Sequence, residues 1–116
     1  MSPRDPAARL RHMLDHAKEA VAMVEGKSRL DLDRDRQLNL ALVRLPEIVG
    51  EAASRIPEES RSSFPQVPWA QIVSLRNRLI HGYDAVDFDV LWRILTSDLP
   101  PLIAALEKAV PPLPGV

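Results

Sequence analysis

Four residues in the run Arg76-Asn77-Arg78-Leu79-Ile80-His81-Gly82-Tyr83 carry side chains suited to cutting a phosphodiester. An imidazole such as that of His81 titrates near neutral pH and can move a proton. The Arg76 guanidinium can hold charge that builds on phosphate oxygens. Asn77 can orient reacting groups by hydrogen bonding, and Tyr83, the only tyrosine of the chain, follows two residues after the histidine. This set needs no metal. The Arg-x4-His spacing alone is not diagnostic, because it occurs by chance in many helical proteins.

The position of Arg76 is more informative than its spacing. The sequence predicts one helix from Pro68-Trp69 to Gly82. With Arg76 at zero and 100° per residue, Ile72 falls at about -40°, Leu79 at about -60°, Leu75 at about -100°, Ile80 at about +40° and Val73 at about +60°. Arg76 therefore sits in the middle of an apolar stripe, where stability alone would select leucine. A buried guanidinium needs acceptors. Two readings stand: a structural ion pair, with Glu51 as the partner, or an anion-holding group facing a groove between subunits. Asn77 and His81 fall at about +100° and +140°, on the flank beside it.

The elements that must carry these residues are helical almost throughout. Asp5-Pro6 reads as an N-cap followed by proline at the first helical position. Leu10, Met13, Leu14, Ala17, Val21 and Val24 then recur at helical spacing up to a stop at Gly26. Lys27 to Arg36 alternates in charge and reads as a connection leading into a second helix. That helix runs from about Asp33 to Arg55, with Leu38, Leu42, Leu45, Val49, Ala52 and Ile56 on one face and Pro46 marking a kink. Residues 57–68 form a proline-rich loop before the motif helix. Asp87 caps a fourth helix through Val90, Leu91, Ile94 and Leu95. Leu99 to Val110 either continues it past Pro100-Pro101 or forms a fifth helix capped by Asp98. No period-two stretch is long enough for a sheet. The expected fold is an all-α bundle of four to five helices over residues 1–110, with 111–116 a frayed proline-rich tail.

Composition narrows the functional classes. The chain has 116 residues, 15 basic and 16 acidic side chains, no cysteine and eleven prolines. One core fits that length, and two do not. The missing cysteines exclude disulfides, thiolate catalysis and cysteine zinc sites. No apolar run approaches a membrane span, and the charged N-terminus is unlike a signal peptide, so a cytoplasmic protein is expected. The formal charge of -1 gives no overall reason for nucleic-acid binding, so any such activity must be local. Other candidate sites have plainer readings. His12 and His16 have metal-binding i, i+4 spacing without a third ligand. Asp84, Asp87 and Asp89 lack the pattern of a calcium loop, and Asp87 serves better as a cap. Arg29, Arg34 and Arg36 interleave with Asp31, Asp33 and Asp35 as an ordinary surface. Trp69 and Trp92 belong to packing. No metal or cofactor is expected.

The run Arg76-Asn-Arg-Leu-Ile-His81-Gly-Tyr83 resembles the Arg-x4-His-x-Tyr motif of the HepT-like toxins, a branch of the HEPN ribonuclease superfamily. Ile48-Val-Gly-Glu-Ala-Ala53, Pro68-Trp-Ala70, Val86-Asp87, Trp92 and Asp98-Leu-Pro100 resemble the family's pattern in the same order. The likeness covers about Gln37 to Val110 and holds only in character before that. It departs at Ser28 to Arg36, where more aromatic content is expected at the rim of a cleft.

The resemblance implies a HEPN-like, two-fold symmetric homodimer acting as a metal-independent endoribonuclease. It makes Arg76 and His81 the catalytic pair, Asn77 the supporting residue and Tyr83 a regulatory tyrosine. It also implies a partner, an MntA-like minimal nucleotidyltransferase antitoxin that transfers AMP from ATP to Tyr83. The bulk and charge of that group would block and repel RNA. A dimer would answer a geometric difficulty, since on one helix Arg76 and His81 lie about 140° and roughly 7.5 Å of rise apart. A second copy across a two-fold axis would complete the site. The alternative function is a non-catalytic module that binds a nucleotide or docks the nucleotidyltransferase. A third is a helical scaffold in which Arg76 merely pairs with Glu51.

Overall fold

Asp5 opens the first helix with its carboxylate, which accepts from the Ala7 amide at 2.9 Å, and Pro6 supplies the preset φ of a first helical residue. In the computed structural model the described residues are 5–81 and 85–110, with backbone only at Ile80, His81 and Ala85. The expectation of a frayed tail at 111–116 lies outside them. Helix α1 (Pro6–Val24) buries Leu10, Met13, Leu14, Ala17, Ala20 and Val24. It stops just before Gly26, whose φ of 75° is a turn conformation that favours glycine.

The segment expected to be a polar connection is instead a short helix, α2 (Arg29–Arg34). Ser28 and Asp31 form its capping box, and fully buried Leu32 anchors it to the core. Alternating charge hides such an element, because six residues need only one apolar anchor. Helix α3 (Arg36–Ser54) then starts at Asp35, whose carboxylate accepts from the Leu38 amide at 3.0 Å. Its inner face is Leu38, Leu42, Leu45, Pro46, Val49, Gly50 and Ala53. Beyond it, the expected loop contains one helical turn, α4 (Glu58–Arg61). Arg61 reaches back from that turn to donate to the carbonyls of Ile56 and Ala53 at 2.9 and 3.2 Å, which closes the end of α3.

Helices α5 (Trp69–Val73) and α6 (Leu75–Leu79) follow, then two strands, β1 (Ile80–His81) and β2 (Ala85–Val86). The strands pair antiparallel, with Ile80 opposite Val86 and His81 opposite Ala85. Asp87 caps α7 (Phe88–Arg93) as expected, accepting from the amides of Asp89 and Val90 at 2.9 and 3.2 Å. A π-helical turn (Ile94–Asp98) joins α7 to α8 (Leu99–Ala109), so the last helix continues past Pro100-Pro101 and Asp98 is not its side-chain cap. The prolines give the reason. Neither has an amide N–H, so the carbonyls of Thr96 and Ser97 would lack their α-helical donors.

The fold is all-α, and among the described residues its only sheet is the two-residue ladder. One core runs through it: α1 packs mainly on α3 and α8, while α3 also carries α5 and α6. No helix among the described residues is long and apolar enough to cross a membrane.

Candidate functional site

The motif is carried by three short pieces where one helix is expected. Ser74 separates α5 from α6: its hydroxyl donates to the Gln71 carbonyl at 2.8 Å, and its amide is shared between the Ala70 and Ile72 carbonyls. A serine bonded back to its own helix competes with the helical ladder and tightens or bends it. Helix α6 ends at Leu79, and the backbone becomes extended at Ile80 and His81. His81 is therefore carried by the ladder and not by the helical flank that holds Asn77. The 140° and 7.5 Å separation calculated for one continuous helix does not apply.

The break also corrects the place of Arg76. The buried stripe of α5 and α6 is Ile72, Leu75 and Leu79, each no more than 1% exposed. Val73 is only half-buried, and Ile80 has left the helix. Without those two residues the stripe shifts, and Arg76 lies on its edge with its side chain exposed, next to exposed Asn77.

Arg76 and Asn77 line a cleft of about 130 Å³ with Gly50, Glu51, Ser54 and Val73. Gly50 lets α3 approach the motif backbone: a Cβ there would stand 3.2 Å from the Ile72 carbonyl oxygen and 3.7 Å from the Arg76 amide nitrogen. The expected Arg76–Glu51 pair does not form. Glu51 takes Arg44 at 3.3 Å, two turns back on the same face of α3, and Arg76 has no ion pair among the described residues.

Of the two motif arginines, Arg78 is the one with an ion-pair partner. Its guanidinium donates to Asp98 at 2.7 Å, and both side chains are largely covered. Sequence reasoning assigned neither role, because Asp98 before Leu-Pro-Pro reads as a helix cap. It also missed Asn39, buried on α3, whose amide donates to the Leu32 carbonyl at 2.9 Å and accepts from Arg36 at 3.3 Å. A groove of about 590 Å³ runs along the outer side of α3, between Leu40 and Val43 on one wall and Val86 and Phe88 on the other. Leu40 is 52% exposed there.

The remaining candidates are engaged elsewhere. Arg29 pairs with Asp33 at 3.0 Å and Asp89 at 2.7 Å, which holds its guanidinium further above its ordinary value, chiefly through the Asp89 hydrogen bond. The His16 Nδ1 lies 2.7 Å from the His12 carbonyl of the previous turn. Among the described residues no three His, Asp or Glu side chains gather as a metal site. Trp69 and Trp92 pack against the core as expected, and the Trp69 indole N–H donates to the Phe64 carbonyl at 3.1 Å. Of the predicted set, Arg76, Asn77 and Glu51 share one cleft. Only the backbone of His81 is described. Asp84 and Tyr83, with its regulatory role, lie outside the described residues.

Known proteins match this chain over most of its length. The family description "Ribonuclease HepT-like" matches residues 13–109, which include the whole motif. A protein of Methanocaldococcus jannaschii named "Putative RNase MJ1380" is 35% identical over 107 residues, spanning 92% of this chain and 98% of its own. "Putative RNase TTE0752" of Caldanaerobacter subterraneus is 35% identical over 107 residues, with 92% of each chain covered. "Probable ribonuclease HepT" of Thermococcus cleftensis is 34% identical over 99 residues, 82% of this chain and 90% of its own. No solved structure matches the chain at a significant level. With nearly the full helical body matched, the chain belongs to the HepT-like ribonuclease family.

Proposed function

We propose that this chain is a metal-independent endoribonuclease toxin acting in the cytoplasm as a two-fold dimer. The reading rests on Arg76: it stands exposed at a cleft beside Asn77, five residues before His81, with no ion pair among the described residues. A guanidinium left unpaired at an open cleft is available to an anion. Its neighbour Arg78 is committed to Asp98, so the difference lies in position and not in residue type.

In the proposed reaction the ribose 2′-oxygen forms a bond to the adjacent phosphorus and the bond to the 5′-oxygen breaks. His81 accepts the 2′-hydroxyl proton, and the leaving 5′-oxygen takes up a proton from water. Arg76 binds the phosphate oxygens as negative charge grows on them, and Asn77 orients the groups. A second copy laid over the outer side of α3 would cover Leu40 and Val43 and oppose a second motif to the first. Regulation is by an MntA-like nucleotidyltransferase. The Tyr83 oxygen attacks the α-phosphorus of ATP, pyrophosphate leaves, and the AMP group bars RNA from the cleft. With a formal charge of -1, few phosphate contacts are available, so RNA binding is weak with a shallow salt dependence.

The test is RNA cleavage in EDTA by wild type, Arg76→Ala and His81→Ala, alongside growth inhibition on expression. Wild type cleaves and both variants do not. Wild-type cleavage by His81→Ala sinks the assignment, and nucleotide binding without RNA turnover in the wild type favours the binding module. A monomer at micromolar concentration by light scattering removes the second half of the site. The intact mass of protein co-expressed with the nucleotidyltransferase reports whether Tyr83 gains AMP.

A further inference from the structure

The five residues of α6 are too few to hold an orientation by themselves, since an isolated helix of one or two turns is not stable in water. Leu75 and Leu79 lie on one line and fix how deep it sits, so its roll about that line depends on what holds its flanks: Gly50 of α3 on the Arg76 side, the Arg78 amide bonded back to the Ser74 carbonyl at 3.0 Å, and the Arg78 side chain. In an ideal helix Arg76 and Arg78 leave at about 80° to either side of the midpoint of that line, with Asn77 pointing directly away from it. The two arginines thus straddle the buried edge. Any roll that carries Arg76 outward carries Arg78 inward.

Arg78 is fastened. Its Nη1 donates to Asp98 Oδ2 at 2.7 Å, Nη2 lies 3.5 Å from the Gln71 carbonyl oxygen, and buried Nε has no partner among the described residues. The side chains are 33% and 21% exposed, a setting in which a charge-assisted bond is directional and little screened. Asp98 is free to make it because the π-helical turn places it ahead of Pro100-Pro101 without using it as a cap. The anchor comes from twenty residues further along the chain and lies on the opposite flank from the Gly50 contact.

From this we infer that Arg78 and Asp98 form a clamp that sets the roll of α6 and so aims Arg76 and Asn77 into their cleft. The pair is a positioning pair that acts through Arg76 and does not itself touch RNA. Its catalytic consequence rests on the ribonuclease reading above, whereas the roll itself does not.

The test compares Arg78→Met, Asp98→Asn and the double variant Arg78→Met/Asp98→Leu, in which two apolar side chains replace the pair. Each is followed by thermal melting, by kcat and KM for RNA cleavage, by the salt dependence of RNA binding, and by the backbone amide spectrum of Leu75 to Leu79. Both single variants lower kcat by about 10- to 100-fold, as a misaimed group does, with KM and salt slope unchanged. The double variant recovers melting temperature, because no buried charge is left alone, but it does not recover kcat. Its Arg76 and Asn77 amide resonances stay displaced from wild type. Recovery of kcat together with stability overturns the clamp and makes the pair ordinary packing. A loss confined to Arg78→Met that raises KM and flattens the salt slope also overturns it, since Arg78 would then contact phosphate directly. If the wild type does not cleave RNA, the ribonuclease reading fails, and the clamp is judged by the amide resonances alone. Unmoved Arg76 and Asn77 signals in all three variants refute it.

Discussion

The long helices α1 and α3 and the segment from Trp69 to Arg93 are stabilised by different means. Each long helix has 19 residues and its own side-chain N-cap, with an apolar face repeated over several turns. Loss of one contact there is shared among many neighbours. The Trp69–Arg93 segment is divided into helices of five, five and six residues and a two-residue ladder. Ile72, Leu75, Leu79 and Leu91 anchor its pieces in the core, and single contacts orient them: Gly50 beside the Ile72 carbonyl, Arg78 on Asp98, Arg29 on Asp89 and Asp87 on the α7 amides. The frame therefore governs whether the chain folds, and the segment governs where a few side chains point. Stability and activity should come apart under mutation.

The largest separation is expected at the proposed chemical groups. His81→Ala should reduce RNA cleavage by about 10²- to 10⁴-fold, the usual worth of an acid–base group, without moving the melting temperature. A matching loss of stability would erase the division between frame and segment. In the frame itself, Leu42→Ala should cost roughly 2–5 kcal/mol in denaturant unfolding, because Leu42 is fully buried in α3. RNA cleavage by the fraction still folded should stay at the wild-type rate. A reduced specific activity there would show that the frame also aims the site.

Gly50→Ala joins the two regions. Helix propensity favours alanine by about 1 kcal/mol, while crowding against the Ile72 carbonyl costs about 1–3 kcal/mol. The expected result is a net loss of about 1 kcal/mol with a larger proportional fall in cleavage. Unchanged cleavage would mean that α3 does not set the cleft.

The smallest effect is a pH response at α2. The Asp31 carboxyl is held below its ordinary value of 3.8, chiefly by the Ser28 backbone N–H. A depressed folded value means the cap is fully stabilising above the ordinary value and is lost as pH falls through the lowered one. The Ser28 amide resonance should follow that titration. A midpoint at or above 3.8 would remove the cap from the account.

The parts of the fold that were legible in the sequence are those governed by repetition or by one side chain acting on its own neighbours. The apolar recurrence of α1, the inner face of α3, and the caps at Asp5 and Asp87 all belong to this class. Elements resting on one distant partner were not legible. Helix α2 depends on Leu32 meeting the core and on Asn39 closing it from seven residues away. Periodicity puts Arg76 at the centre of the stripe only if one unbroken helix carries both Val73 and Ile80 on its buried face. The helix stops at Leu79 and Val73 stays half-buried, so the stripe narrows to Ile72, Leu75 and Leu79. Glu51 pairs with Arg44 and not with Arg76, because Arg44 on its own helix is within easy reach. The motif residues themselves are read by type and order, which do not depend on where the helix stops.

The π-helical turn at Ile94–Asp98 makes the terminal helix an indexed shaft. A turn closed over one extra residue rotates everything beyond it by about 100° relative to an uninterrupted α-helix. Ahead of the turn, α7 is phased to meet α2 and α6; behind it, α8 is phased to meet α1. Deleting one residue within the turn would preserve a straight rod yet leave only one end in register. Either the motif segment or the N-terminal helix would then face the wrong side. The surplus residue lets one rod serve two differently oriented neighbours.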